Sequence, residues 1–182
     1  MYGLLLVELQ RYLESTLGRA GWADLLAQTG PAARIYLPGQ AYPDDEWDAL
    51  VAAAAGRRKI GVPALLEEAG AFFAPRLLAT YGAAIPSSWG PLDLIAGLED
   101  QVYPVVRRKP AAAPPHLQVE WASARELIVV YDSPRRLCAL AKGLLAGVGA
   151  HYATRLLIRE TACMHFEQPA CRISVKLPSP PG

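Results

Sequence analysis

This 182-residue sequence has few charged residues and almost no net charge. Charged residues make up 19% of the chain, and the net charge is +1 at pH 7. A basic face that binds nucleic acid is therefore not expected. Hydrophobic residues make up 52%, which predicts one ordered domain with a large buried core rather than a disordered chain.

The sequence also lacks the patterns of an export signal and of a membrane span. Its first residues are apolar, but no basic segment precedes them, and Glu8, Arg11 and Glu14 soon interrupt the run. Such a segment fits neither a signal peptide nor a transmembrane helix. The three cysteines are an odd number, which favours reduced thiols over a disulfide framework. We therefore expect a cytoplasmic protein with no membrane partner.

The hydrophobic pattern changes character near Lys109. Helical spacing dominates before it, a connector rich in proline and alanine occupies residues 110–115, and extended runs flank one apolar helix after it. The predicted helices cover residues 5–17, 22–28, 46–55, 63 onward with Pro75 inside, 92–103 and 137–150. The predicted strands cover residues 117–121, 127–131, 154–159 and 171–177, and residues 34–37 also read as extended. This order predicts an α+β fold in which a helical half packs on a four-stranded antiparallel sheet.

A possible anion site lies where the second predicted strand ends. Tyr131, Ser133 and Arg135 occupy alternate positions, so an extended backbone points all three side chains to one side. Two hydroxyls and a guanidinium on one face can hold a carboxylate or a phosphate. The alternative is an ordinary turn, with Arg135 capping a helix or meeting a surface acid.

The three cysteines suggest a metal site. Cys163 and Cys171 flank a turn between the last two predicted strands, and Cys138 lies in the first turn of the apolar helix. With Glu160 or His165 as a fourth ligand they would complete a tetrahedral zinc site. The alternatives are that the cysteines are small core residues, or that Cys163 is a nucleophile next to His165. We find no catalytic constellation and do not predict an enzyme.

Several motifs of this sequence resemble the heme–nitric oxide/oxygen binding (H-NOX) family. The specific ones are Tyr131-x-Ser133-x-Arg135, Ser133-Pro134-Arg135-Arg136-Leu137-Cys138, Gly143-Leu144-Leu145, His151-Tyr152 and Cys163-Met164-His165. Met1-Tyr2-Gly3 and the pair Gly18 and Trp22 are looser matches. The resemblance implies one domain over residues 1–177, with a helical subdomain at 1–62, a heme-pocket and sheet subdomain at 63–177, and a disordered tail at 178–182.

The resemblance also implies a heme site. Tyr131, Ser133 and Arg135 would bind the heme propionates, and Leu5, Pro115 and Leu140 would form the pocket wall. Leu140 on the distal side offers no hydrogen bond, which favours nitric oxide or carbon monoxide over dioxygen. Members of the family are gas sensors, so a signalling partner such as a histidine kinase or a cyclic-nucleotide enzyme is expected.

The zinc-containing proteobacterial branch of the family provides a match for the cysteines. By that resemblance Cys138, Cys163 and Cys171 would be thiolate ligands of zinc. Glu160 falls where a fourth ligand, histidine in some members, is expected, and His165 is then a loop residue.

One position departs from the family pattern. The axial histidine belongs on the helix before the proline connector, yet no histidine occurs between Met1 and Lys109, and Tyr103 lies at or beside that position. Tyr103 would ligate iron as a phenolate, or heme would bind loosely, or the pocket would take another ligand, or Tyr103 would simply fill the cavity. The competing hypothesis is a heme-free, zinc-stabilised module that binds a small hydrophobic ligand or a protein, and a vinyl-reductase-like accessory role is a third.

Overall fold

Helices form the first half of the chain and a sheet forms in the second. The computed structural model describes residues 1–30, 34–109 and 112–179. The helices are α1 Gly3–Thr29, α2 Asp44–Arg58, α3 Val62–Tyr81, α4 Pro91–Ala96, α5 Tyr103–Arg107 and α6 Cys138–His151. The strands are β1 His116–Ser123, β2 Glu126–Asp132, β3 Leu157–Ala162 and β4 Cys171–Lys176. All strand pairs are antiparallel in the order β1-β2-β4-β3, which confirms the predicted α+β class.

The two predicted amino-terminal helices form one long element with a break at Gly18. Gly18 has φ 74° and ψ 168°, a conformation outside the helical region that residues with a Cβ rarely adopt. The break redirects the second half of α1 so that Trp22 and Leu25 also reach the core.

Two predicted boundaries differ from the structure. Residues 34–37 form no strand, because the N–H of Leu37 donates to the Tyr42 hydroxyl at 2.8 Å rather than to a neighbouring strand, and Ile35 is 79% exposed. The helix predicted at 92–103 is divided into α4, a π-helical turn Leu98–Val102, and α5. Pro104 has no N–H to continue an α-helical ladder, and the N–H of Tyr103 donates to the carbonyl of Leu98, five residues back.

Other predicted elements are present, with shifted ends. Pro75 lies inside α3, which continues to Tyr81. Strand β3 begins at Leu157 rather than at Thr154, because the N–H of Thr154 donates to Gly149 O at 2.8 Å and closes the end of α6. The connector at residues 110–115 and the tail at 178–182 fall partly outside the described residues.

The buried side chains form two clusters. One lies among α1, α2 and α3, and the other lies between α4, α6 and the inner face of the sheet. Helix α6 contributes to both clusters through Leu140 on one side and Leu145 on the other. Among the described helices, none is long and apolar enough to cross a membrane.

Candidate functional site

An apolar cavity of about 230 Å³ lies where the two clusters meet. Its wall is built by α1, α3, the stretch from α4 to α5, the segment before β1, β1, β2, α6 and β4, with aliphatic side chains predominating. The residues that we predicted to contact a cofactor all line it, namely Leu5, Tyr103, Pro115, Tyr131, Ser133, Arg135 and Leu140. The geometry therefore brings these seven residues to one space, and their contact with a ligand stays a prediction.

The hydroxyl side of the anion motif is buried at the cavity wall. Tyr131 is the last inward-facing residue of β2, and Ser133 follows in the turn before α6. Ser133 Oγ accepts a hydrogen bond from the N–H of Arg135 at 3.3 Å, which fixes the turn. Burial raises the pKa of Tyr131 to about 12, against the lowering effect of hydrogen bonds from Ser133 and the Leu137 backbone. Tyr131 is therefore a neutral phenol at pH 7.

Arg135 has an acidic partner that the sequence did not indicate. Its Nε lies 3.0 and 2.9 Å from the two carboxylate oxygens of Asp44, and its Nη1 donates to Ala113 O at 3.3 Å. Asp44 also pairs with the Met1 ammonium at 2.5 Å. Burial works to raise the pKa of Asp44, but hydrogen bonds from the amino terminus and Arg135 outweigh it and the pKa is lowered. The ion pair joins the start of α2 to the mouth of the cavity.

Tyr103 is the half-buried first residue of α5, directly after the π-helical turn. The Arg107 guanidinium carbon lies 5.6 Å from the Tyr103 ring centroid, and Arg107 Nη2 is 2.5 Å from Glu99 Oε1. Burial raises the pKa of the Tyr103 phenol well above its usual range, and the lowering effect of Arg107 is smaller. The phenol is therefore neutral unless a cation in the cavity stabilises its anion.

The three histidines lie elsewhere. His116 is exposed at the start of β1, 3.5 Å from Glu99 Oε1, and His151 is exposed at the end of α6. Nε2 of His165 is 2.9 Å from Arg136 O. No histidine is among the described residues that line the cavity.

A cysteine and glutamate cluster lies at the start of α6. Cys138, Cys163 and Cys171 are buried, and their Sγ atoms and a carboxylate oxygen of Glu160 all lie within 4.8 Å of one another. The Sγ of Cys163 is 3.6 Å from the Sγ of Cys138 and 3.6 Å from that of Cys171. Zinc–sulfur bonds of about 2.3 Å in a tetrahedron place two sulfurs roughly 3.8 Å apart. The cluster therefore has dimensions that suit zinc.

Glu160 has one oxygen to spare for a metal. Its Oε2 lies 3.2 Å from Lys142 Nζ, whereas its Oε1 is buried and has no hydrogen-bond partner among the described residues. A buried carboxylate oxygen without a partner is costly unless a cation binds it. Burial also raises the pKa of the Cys138 and Cys171 thiols. The donor set fits a divalent soft cation, which would take the thiols as thiolates.

Two residues at these sites were not predicted from the sequence. Asp44 is 91 positions from Arg135, and as an acid in the first turn of α2 it had a sufficient local explanation in the helix dipole. Lys142 follows Cys138 by four residues, so the two share a face of α6. That spacing was a signal for Lys142, and no comparable signal existed for Asp44.

A family comparison decides what kind of domain carries these sites. The model of the haem-NO-binding family matches residues 2–160 of this chain. The chain belongs to the haem-NO-binding, or H-NOX, family. It therefore has the fold of a heme-binding gas-sensor domain. A search of curated proteins found no match.

Solved H-NOX structures agree with this assignment. The chain is similar to the crystal structure of an H-NOX protein from S. oneidensis in the Fe(II)NO state, with 24% identity, coverage of 98% of this chain and 100% of that chain, and a TM-score of 0.91. A histidine-to-glycine mutant of the Shewanella oneidensis H-NOX domain in the Fe(II)CO state is 25% identical, with 99% and 100% coverage and a TM-score of 0.87. The unliganded Fe(II) H-NOX protein from K. algicida is 17% identical, with 99% and 98% coverage and a TM-score of 0.86.

Proposed function

We propose that this chain is a heme-binding sensor domain that responds to nitric oxide or carbon monoxide and signals through a partner protein. The observation that carries the proposal is one apolar cavity in an H-NOX fold with Tyr131, Ser133 and Arg135 at its wall. Propionate carboxylates buried in such a cavity need charge-assisted partners, and these three side chains supply one cation and two hydroxyls. When bound, heme would supply the iron to which the gas coordinates.

Arg135 would bind a propionate either beside Asp44, with the ion pair kept, or in place of Asp44. The guanidinium carries five N–H donors, and Nε is the one committed to Asp44. Leu5, Leu140 and Pro115 would contact the apolar part of the porphyrin. The test of this clamp is hemin affinity, which Arg135→Ala should lower.

Tyr103 is our candidate for the axial ligand. It is the cavity residue at or beside the position of the family histidine, and its oxygen would coordinate iron as a phenolate, which favours the ferric state. Arg107, stacked near the ring, would help to stabilise that anion. The Shewanella oneidensis histidine-to-glycine mutant in the Fe(II)CO state shows that loss of one histidine in that protein is compatible with bound iron and carbon monoxide.

Leu140 supports selectivity for nitric oxide and carbon monoxide. Its side chain cannot donate a hydrogen bond to bound dioxygen, which depends on such a donor more than the other two gases do. Tyr2 and Tyr81 also line the cavity. Burial raises the pKa of Tyr81 to about 12, with a smaller raising effect from Tyr2.

The deciding experiment is reconstitution with hemin, followed by visible spectroscopy in ferric and ferrous forms. We expect a Soret band that Tyr103→Phe shifts and weakens in the ferric form, because the phenolate ligand is lost. Tyr81→Phe is the matched control, since it removes a hydroxyl from the same cavity and should leave the band in place. Absence of a Soret band in both oxidation states of the wild-type protein would contradict heme binding.

We also propose that Cys138, Cys163, Cys171 and Glu160 bind zinc, as in the zinc-containing branch of the family. The distances between the sulfurs and the unpaired buried oxygen of Glu160 support this assignment. His165 is a loop residue in this proposal, because its Nε2 lies at hydrogen-bonding distance from the Arg136 carbonyl. Metal analysis of the purified protein should find one zinc per chain.

A heme-free module is the second candidate function. It is favoured by the lack of a histidine among the described cavity residues and by the pairing of Arg135 with Asp44. Such a module would bind another apolar carboxylate, or a protein partner, in the same fold. Zinc without iron or pigment in the purified protein would support it, whereas iron with a Soret band supports the sensor.

The remaining assignments follow from the sensor proposal. We treat residues 1–177 as one domain, with subdomains at 1–62 and 63–177, and we assign no enzymatic activity to it. A histidine kinase or a cyclic-nucleotide enzyme is the proposed partner class, and nucleic acid is not. The absence of a disulfide among the three cysteines suits a reducing compartment such as the cytoplasm.

A further inference from the structure

Lys142 contacts the metal-site cluster without belonging to it. It lies on α6 one turn after Cys138, and its side chain is 20% exposed. Its Nζ is 3.2 Å from Glu160 Oε2 and 2.8 Å from Glu67 Oε1. One ammonium therefore joins the carboxylate of the cluster to helix α3.

Lys142 engages one of the two carboxylate oxygens of Glu160. The ammonium is bonded to Oε2, which leaves Oε1 buried and without a hydrogen-bond partner among the described residues, and a carboxylate oxygen of Glu160 lies within 4.8 Å of the three Sγ atoms. Glu67 holds the other side of the ammonium, which limits its freedom to move away. Metal ligands are commonly fixed in this way by a hydrogen-bonding partner in an outer shell.

Charge balance gives Lys142 a second role. Three thiolates and one carboxylate around Zn²⁺ carry a net charge of −2, which is unfavourable in a buried environment. Within the described chain, Lys142 is the cation that pairs with a carboxylate of this cluster.

We propose that Lys142 is a positioning residue of the metal site, which orients Glu160 toward the metal and offsets the charge of a three-cysteine, one-glutamate centre. The inference rests on the proposed zinc site. In this proposal the Lys142 ammonium is needed because the fourth ligand is a glutamate. A neutral histidine as the fourth ligand would have no second oxygen to be held and would add no fourth negative charge.

The experiment measures zinc affinity by competition with a chromophoric chelator. Lys142→Met should weaken zinc binding about 10- to 100-fold, the usual effect of removing an outer-shell partner. Lys142→Arg should restore most of the affinity. Lys176→Met is the matched control, because Lys176 lies at the far end of β4 from Cys171, and it should bind zinc like the wild type.

A second pair of variants separates positioning from general packing. In a Glu160→His background, Lys142→Met should change zinc affinity less than about threefold, because no carboxylate remains to be oriented. The difference between the two backgrounds is the coupling energy that a double-mutant cycle measures. An equal loss in both backgrounds, or no loss from Lys142→Met in the wild-type background, overturns the role of Lys142 and leaves the zinc site standing. A wild-type protein that binds no zinc overturns the zinc site itself and this inference with it.

Discussion

At the scale of single residues, Tyr103 is a protonated phenol in the empty cavity, whereas an iron ligand would have to be the phenolate. Burial raises the pKa of its phenol above the usual range, with smaller raising effects from Tyr131 and Glu99, so the phenol carries its proton at neutral pH. Ferric iron would have to displace that proton. Arg107 reduces the cost by standing near the ring face.

This protonation state predicts a pH dependence of hemin binding. Binding as a phenolate releases a proton that the empty site holds, so affinity should rise with pH throughout the range below the raised pKa. The limiting slope for one released proton is about tenfold per pH unit. Hemin titrations between about pH 7 and about pH 9 measure this slope, since both values lie below the unperturbed tyrosine pKa of about 10.

The Tyr103→Phe variant provides the control for that titration. It keeps the ring and loses the titrating hydroxyl, so its hemin affinity should change little over the same pH interval. A wild-type slope equal to that of Tyr103→Phe would mean that Tyr103 does not ligate the iron, whatever the spectrum shows.

At the scale of elements, the parts that sequence reasoning predicted well are those set by local periodicity. Alternation in β2 and the apolar face of α6 identify both elements and bring Tyr131 and Cys138 near each other. The π-helical turn before Tyr103 was missed, because it depends on the missing N–H of Pro104 and not on the spacing of apolar residues. The pair of Asp44 and Arg135 was missed because no local pattern joins residues on separate elements.

Helices α3 and α6 pack closely against each other. A Cβ on Gly143 would lie 2.1 Å from the carbonyl oxygen of Glu67, and one on Gly70 would lie 2.3 Å from that of Leu140. Both obstacles are backbone atoms, which cannot rotate away as a side chain can. The two helices that carry Lys142 and its partner Glu67 therefore touch through glycine.

We predict that Gly143→Ala lowers the free energy of unfolding by about 1–3 kcal/mol, because α3 and α6 must separate to admit the methyl group. Gly56→Ala is the matched control, since it lies within α2 with nothing within 4 Å of its Cβ position. It should raise the free energy of unfolding by about 0.5–1 kcal/mol. Urea unfolding measures both, and a Gly143→Ala midpoint equal to that of the wild type would contradict the packing argument.

At the scale of the whole molecule, α6 connects the cysteine cluster, the cavity and the two core clusters. Its first turn carries Cys138, its middle carries Leu140 at the cavity wall, and its two sides belong to different core clusters. The proposed zinc would fix the first turn of α6 to the ends of β3 and β4. Helix α2, by contrast, contributes its buried residues only to the first cluster and carries none of the proposed zinc ligands.

Removal of zinc should therefore loosen one part of the molecule more than another. Amide hydrogen exchange is expected to accelerate in β3, β4 and the first turn of α6 after chelation, while α2 keeps its protection, since local stability follows local contacts. Zinc at a thousand times its dissociation constant stabilises the folded chain by about 4 kcal/mol, which sets the size of the effect. Cys163→Ser removes one ligand, so its exchange pattern should already resemble that of the chelated protein and respond little to chelator. Equal acceleration in α2 and β4 would instead show that the metal stabilises the fold globally, and that the two clusters unfold as one unit.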